Sequence, residues 1–214
     1  MKRALHRAIT ERAVGECFDS QALMEIVAAN LGQDALYYQV GHAHFHYDEN
    51  AFEASDRYVS LQHHALEKAL ERGKAVDARR AFGRLSHAVQ DFYAHSNYVA
   101  LWLARFSGTP PAPEAMEILD REVLSSPALR SGKIYYPLEA LTFIGPLTRI
   151  VTPLLPRDSH AWMNIDGPQR PLFDYAFAAA VKRTRHEFEN AVSGLSADSR
   201  AQFTGRKPDS LRRL

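Results

Sequence analysis

Apolar residues recur three and four positions apart along most of the chain, a period typical of helices that bury one face. Gly32 and Gly73 follow two of these stretches, and glycine commonly ends helices. Ser20 is the expected N-cap of the second stretch, and no alternating pattern indicates a strand. The predicted helices cover residues 4–14, 20–32, 34–45, 48–73, 76–106 and 172–192.

The prolines separate the helical stretches. Three lie within residues 108–114, and seven of the eleven lie within residues 125–171, where loops and short helices are expected because proline removes a backbone donor. A chain of 214 residues can bury one sizeable core. We therefore predict an all-α, single-domain helical bundle over residues 1–205, with a loop-rich segment before the last helix and a basic C-terminal tail at 206–214.

The segment LTFIGPLTRIVTPLLP, residues 141–156, is apolar but interrupted. It is too broken to span a bilayer, because Pro146 and Pro153 fix bends. It either packs in the core, as most apolar stretches do, or forms a flap that faces a membrane beside the functional site. Ile144 and Ile150 are the residues that would distinguish these two interpretations.

Composition narrows the functional classes. The net charge is +1, which gives no general attraction to nucleic acid or anionic membranes. Cys17 is the single cysteine, which excludes a disulfide framework and a thiolate zinc site. The opening MKRALHRAITERAVGE has no apolar core of a secretory signal, so a cytoplasmic location is expected, with signal-independent export as the alternative.

Three metal-ligating side chains, His87, Asp91 and His95, follow one another at intervals of four in an apolar stretch. Helix positions four apart share one face, so His87 and Asp91 can bind one metal ion, and His95 reaches its far edge or a second ion. The alternative is a hydrogen-bonded polar seam. Burial of Asp91 favours the metal, because coordination satisfies a carboxylate that is costly to bury unpaired.

A second stretch, DALYYQVGHAHFHYDEN, is also rich in ligands: Asp34, His42, His44, His46 and Asp48. Three histidines at alternate positions suit an extended loop in which all face one way. The alternative is a surface loop that meets metal adventitiously. The remaining histidines expected at the surface are His63, His64 and His186.

Several motifs resemble the Het-C heterokaryon-incompatibility family, which is grouped with zinc-dependent phospholipase C. The motifs are HAVQDFYAHSNYVAL, HFHYDENAF, LHRAITERAV, SHAWMNIDGP and the Ala-x-x-x-Ala-x-x-x-Thr pattern of the last helix. The resemblance implies an all-α bundle around up to three zinc ions. The wider superfamily includes zinc nucleases that cut single strands.

The resemblance also implies a set of metal ligands, namely His6, Asp34, His46, His87, Asp91 and His95. In that scheme Asp91 contacts two ions, and Asp34 is both a ligand and a candidate general base, which makes these two residues the implied catalytic pair. His46 is preferred to His44 because Asp48 follows it.

The sequence departs from the family pattern at two places. A later His-x-x-x-Glu pair has no clear counterpart, and His160, Asp166 or Asp174 are its alternative replacements, with His160 counted among the ligands. The secreted lipases use a free N-terminal tryptophan, whereas Met1 stands here. Asn97 either supports a ligand, holds a turn or makes an ordinary polar contact within a helix.

These expectations describe a zinc-dependent phosphodiester hydrolase. Zinc lowers the pKa of a water that it binds to about 7, so the water can attack at neutral pH. The expected substrate is a phospholipid, or another phosphodiester, with peripheral membrane contact and no nucleic-acid partner. The alternatives are a nuclease of the same metal type and a non-catalytic, metal-stabilised domain that binds lipid or protein, which the missing pair favours.

Overall fold

Helices make up most of the fold that a computed structural model describes for residues 1–39, 41–143 and 145–206, and the longest connections lie between residues 104 and 137. The helices are α1 (Arg3–Val14), α2 (Ser20–Gly32), α3 (Leu36–Gln39), α4 (Phe52–Glu71), α5 (Ala75–His95), α6 (Tyr98–Leu103), α7 (Arg121–Leu124), α8 (Gly145–Val151), α9 (His160–Met163), α10 (Phe173–Val192) and α11 (Ala197–Thr204). Over these described residues the chain forms no strand, only isolated bridges between Ser96 and Ser131 and between Lys133 and Ser159. The predicted all-α, single-domain bundle is confirmed.

Helix α5 is the centre of the bundle, and α2, α4 and α10 pack around it. Its side chains from Phe82 to His95 are buried on almost every face, which is why this stretch lacks a charged side. Gly83 allows α2 to approach closely, because a Cβ there would lie 2.4 Å from the carbonyl oxygen of Ile26. The polar residues of α5 are therefore enclosed by protein.

Several predicted helix boundaries are wrong. Asp19, not Ser20, caps α2, because its Oδ1 accepts from the Ala22 amide at 2.7 Å. The helix expected at 34–45 reduces to α3 and a 3-10 turn (Ala43–Phe45), since Gly41 turns the chain with a φ of +77°.

The stretch predicted as one helix at 76–106 is two, α5 and α6. The chain is extended at Ser96, whose hydroxyl donates to the Phe92 carbonyl at 2.6 Å. Asn97 holds this turn by accepting from the Arg130 amide and donating to the Ala128 carbonyl. Helix α11 was not predicted.

The segment 141–156 is partly buried and partly exposed, so neither the core interpretation nor the flap interpretation describes all of it. Val151 and Leu155 are buried in a small apolar cluster separate from the main core, whereas Ile150 and Leu154 are 66% and 68% exposed. Ile144 lies outside the described residues, as do positions 207–214 of the predicted tail. Among the described helices, none combines the length and apolar character needed to cross a membrane. The compartment stays a prediction.

His63 is not the solvated surface residue that was predicted. It is largely buried between α4 and α10, where its Nε2 donates to Glu187 Oε2 at 2.7 Å, and Arg183 donates to the other carboxylate oxygen. Burial raises the pKa of Glu187, but His63 and Arg183 outweigh it and lower that pKa to about 2. Glu187 is therefore a charged residue that stabilises the packing of two helices.

We predict that this carboxylate makes stability pH-dependent. Because its pKa is lower in the folded chain, its contribution is present above the ordinary glutamate pKa and is lost as pH falls from about 4.5 toward 2. Urea unfolding should show wild type more stable than Glu187→Gln by about 1–3 kcal/mol at pH 7, with the gap closing near pH 3. The control Glu189→Gln removes an exposed partner of Arg185 and should differ little from wild type at either pH. A gap that does not change with pH would contradict the prediction.

Candidate metal centre

The seven predicted ligands converge on one buried region at the end of α5. They come from α1, the loop after α2, the turn after α3, α5 and the start of α9: His6, Asp34, His46, His87, Asp91, His95 and His160. Asp48 and Asp166 lie in the same region. Their potential ligand atoms form three groups: His6, Asp34 and His87; His46, His87 and Asp91; and Asp48, His95 and His160.

Asp91 is at the centre of this cluster. Its Oδ2 lies 3.0 Å from both His46 Nδ1 and His87 Nε2, and these two nitrogens are 3.0 Å apart. Three hydrogen-bonding atoms in so small a triangle cannot all pair with one another, because each neutral imidazole carries a single proton. Ligand atoms about 2.1 Å from a shared ion stand roughly 3.0–3.4 Å apart, so this triangle has the spacing of a metal site.

The hydrogen bonds of Gln90 determine which nitrogen of His6 faces Asp91. The Gln90 amide donates to the hydroxyls of Thr10 and Thr184 at 3.1 Å each, and these hydroxyls give their own protons to main-chain carbonyls. Gln90 Oε1 must therefore accept, and His6 Nδ1 donates to it at 2.7 Å. In a neutral ring, His6 Nε2 is then a lone pair, 3.2 Å from Asp91 Oδ1.

With this tautomer, two hydrogen-bond acceptors, His6 Nε2 and Asp91 Oδ1, face each other in a buried position. His6 Nε2 and Asp34 Oδ2 are both buried, and neither has a hydrogen-bond partner among the residues that the structure describes. Buried polar atoms normally have hydrogen-bond partners, so a buried atom without one indicates that a group absent from the protein chain binds there. A cation held by the group of His6, Asp34 and His87 would satisfy both His6 and Asp34.

The other end of the cluster is built from Asp48, His95, His160 and Asp166. His160 Nδ1 and His95 Nδ1 lie 2.9 and 3.3 Å from Asp48 Oδ1, and His95 Nδ1 also donates to the His46 carbonyl at 3.1 Å. His95 Nε2 therefore faces Asp166 Oδ1 at 3.4 Å.

The amino group of Met1 lies where this end meets Asp91, 2.6 Å from Asp91 Oδ1 and 3.1 Å from Asp166 Oδ1. Burial lowers the pKa of this amino group, but Asp166 and Asp91 raise it overall to about 11. The carboxylates thus converge on a position that favours positive charge.

Three of the buried carboxylates, Asp48, Asp91 and Asp166, have lowered pKa values despite their burial, whereas burial raises the pKa of Asp34. Burial raises the pKa of Asp91, but His95 and the Met1 amino group hold it well below its usual range. Burial likewise raises the pKa values of Asp48 and Asp166. His160 and His95 outweigh it at Asp48, and the Met1 amino group and His95 outweigh it at Asp166, so both pKa values are lowered. Buried negative charge of this density requires cations.

The loop that carries His46 and Asp48 has an unusual backbone. Tyr47, Glu49 and Asn50 all have left-handed φ values between 55° and 60°, a conformation that costs free energy in residues with a Cβ and tends to occur at functional sites. Asn50 exchanges hydrogen bonds with Ser131, and the Glu49 amide donates to the Gly132 carbonyl. The loop at 131–132 thus holds the ligand loop in place.

The structure also shows where the alternative ligand residues left open by the sequence lie. Asp166 lies in the cluster, whereas Asp174 is exposed on α10 away from it. His44 packs against Phe45 and Tyr58 outside the cluster. Asn97 holds the turn described above and supports no ligand in the described contacts.

Sequence reasoning named Asp48 in the ligand-rich stretch without assigning it to the site, and it missed Gln90. Asp48 follows the chosen His46 by two positions, which was the available signal, but its direction depends on the left-handed residues around it. Gln90 gave no signal, because its role depends on the packing of α1 and α10 against α5.

A cavity of about 80 Å³ gives access to the cluster. Its lining includes Asp34, Asp91, His160 and Tyr136, and Tyr136 is 51% exposed. Because a water takes about 30 Å³ of the liquid, the cavity has room for two or three waters or ions. It admits a phosphate-sized group rather than a whole lipid.

Comparison with known families corrects the resemblance stated above. The matching family model is the VWA7 N-terminal domain, over residues 2–106; it is neither Het-C nor zinc-dependent phospholipase C, so that resemblance is wrong as a family assignment. The matched segment, 105 of the 214 residues, contains His6, Asp34, His46 and the α5 ligands but not His160. No curated protein and no solved structure matches.

We predict that Gln90 sets the metal affinity through His6. Gln90→Leu removes the acceptor of the His6 Nδ1 proton, and zinc affinity should fall about 10–100-fold, as it does when partners of ligating histidines are lost. Titration against a competing chelator measures this. Gln33→Leu is the matched control, because Gln33 is equally buried and donates to the Tyr58 hydroxyl outside the cluster. Equal affinities in the two variants would contradict the role of Gln90.

Proposed function

We propose that this protein is a metal-dependent phosphodiester hydrolase, with a phospholipid cleaved between glycerol and phosphate as the leading substrate. The observation that carries the proposal is the set of three adjoining groups of ligand atoms, each of which has at least one member in the lining of a single cavity. Metal ions about 3.5–4 Å apart are the usual arrangement for in-line displacement at phosphorus.

The donor set fits zinc. It consists of imidazole nitrogens and carboxylate oxygens, and the single cysteine, Cys17, is not part of it. Such ligands suit zinc in sites that keep positions open for substrate. Zinc bound there would activate a water and neutralise the phosphate oxygens as charge builds up.

The side chains of the cavity have separate roles in this proposal. Asp91 holds the metal ligands together, since its two oxygens face His6 on one side and His46 and His87 on the other. Asp34 lines the cavity and is the candidate general base, because burial raises its pKa and so makes the carboxylate a better proton acceptor. His160 and Asp166 also line the cavity and would contribute to holding a metal ion at its other end, where His160 Nε2 lies 4.0 Å from Asp166 Oδ2.

The test is hydrolysis of a soluble phosphodiester, bis(p-nitrophenyl) phosphate, by protein whose zinc content has been measured. We expect turnover that a chelator abolishes and zinc restores, and Asp34→Asn should lower kcat about 100-fold or more, as loss of a general base does. Asp77→Asn is the control, since Asp77 is exposed in the first turn of α5 and pairs only with Arg80 in the described contacts. Full zinc occupancy without hydrolysis of this diester or of phospholipid would contradict the proposal and leave a metal-stabilised binding domain.

A further inference from the structure

Five large apolar side chains are exposed within one short stretch of the chain. They are Tyr136, Leu138, Leu141, Ile150 and Leu154, and we call them the α8 surface. Isolated exposed leucines are common, but exposed apolar side chains gathered in one segment mark a site of interaction.

The α8 surface is supported from beneath. Val151 and Leu155, the sequence neighbours of Ile150 and Leu154, are buried in a small cluster with Ala161 and the half-buried Trp162. Arg157 lies over the Trp162 ring at 3.8 Å. The segment therefore already has its own core, and the exposed side chains are those that this core does not use.

The charge around the α8 surface favours an anionic partner. Residues 136–157 contain Arg149 and Arg157, both exposed, and the one acidic residue among them, Glu139, is fully buried. Aliphatic side chains flanked by arginines are typical of segments that lie in the headgroup region of anionic membranes. Leucine is under-represented among the residues that dominate protein–protein binding, whereas three of the five side chains of the α8 surface are leucines.

The surface also reaches the metal centre. Tyr136 belongs to the α8 surface and lines the cavity that holds Asp91 and His160. A partner seated on this surface therefore lies at the mouth of the cavity.

We infer that the α8 surface docks onto a phospholipid bilayer rich in anionic headgroups and presents the cavity to the lipid phosphate. The inference rests on the proposed function for its substrate. Docking itself needs no turnover. It would supply the lipid-rich surroundings that a cavity of about 80 Å³ cannot provide by itself.

The experiment measures co-sedimentation with vesicles of phosphatidylcholine containing about a third phosphatidylserine. The test variant, Ile150→Ser with Leu154→Ser, removes two aliphatic side chains that are mostly in solvent. Its matched control, Met24→Ser with Leu61→Ser, changes side chains that are 59% and 63% exposed on α2 and α4. Thermal unfolding of all three proteins is compared, and similar melting temperatures are expected.

Wild type and control should bind these vesicles with similar affinity. The Ile150→Ser, Leu154→Ser variant should bind them with an affinity lower by about tenfold or more. Arg149→Gln should reduce binding to anionic vesicles but not the weaker binding to pure phosphatidylcholine. Failure of wild type to bind vesicles, or equal binding by the test variant, would overturn the inference. A wild-type dimer that the test variant converts to monomer would assign the surface to a second copy of the chain instead.

Hydrolysis of bis(p-nitrophenyl) phosphate separates this inference from the proposed function, because that substrate is soluble and needs no docking. Vesicle binding without hydrolysis would leave the docking surface standing and contradict the hydrolase. Hydrolysis without vesicle binding would support the hydrolase and contradict the docking surface.

Discussion

Asp91→Asn is expected to reduce the zinc bound per chain to less than about a tenth of the wild-type amount at a fixed, low zinc concentration. Asp91 Oδ1 faces His6 and the Met1 amino group, and Oδ2 faces His46 and His87. An asparagine removes the charge and one of the two acceptor oxygens, so the imidazoles lose the anion that they share. Metal analysis of dialysed protein gives the zinc content directly.

Asp120→Asn is the matched control. Asp120 is also a buried aspartate, but it caps α7 and pairs with Arg105 far from the cluster. This change should cost about 1 kcal/mol of stability and leave the zinc content unchanged. If Asp91→Asn does not fold, the zinc content of His160→Gln, at the opposite end of the cluster, tests the metal assignment instead. Wild-type zinc content in both cluster variants, Asp91→Asn and His160→Gln, would contradict the metal assignment.

The sequence predicted those parts of the fold and site that depend on local periodicity. The four-residue spacing of His87, Asp91 and His95 places them on one face of α5, which the structure shows. The helix period likewise gave α1, α2 and α10 to within a residue or two. In these stretches helical period and burial agree, so the pattern along the chain suffices.

The parts that failed depend on contacts distant in sequence or on backbone turns. His6 and Asp91 are 85 positions apart, and their meeting was expected only from a family resemblance that proved wrong, although both residues do lie in the cluster. The helix predicted at 34–45 failed because Gly41 turns the chain. Whether the gathered side chains bind zinc stays a prediction, since geometry supplies ligands but not the ion.

The loop around Gly132 is a further part of the site that no periodic pattern could indicate. Its amide donates to the His95 carbonyl at 3.0 Å, and its carbonyl accepts from the Glu49 amide at 2.8 Å. A Cβ at this position would lie 2.5 Å from the Cα of His160. Gly132 therefore fixes the distance between two ligand-bearing segments simply by lacking a side chain.

Gly132→Ala is expected to displace His160 and to weaken zinc binding at the end of the cluster formed by Asp48, His95 and His160. Because the clash is with backbone atoms, no rotamer change relieves it, and about 1–3 kcal/mol of stability should be lost as well. Zinc affinity should fall about 100-fold at that end, while the ions near His6 and His87 are retained. Gly108→Ala is the control, since a Cβ there meets nothing within 4 Å. Metal titration that shows one weakened class of ion in Gly132→Ala and none in Gly108→Ala supports the assignment, whereas equal weakening of all ions, or none, contradicts it.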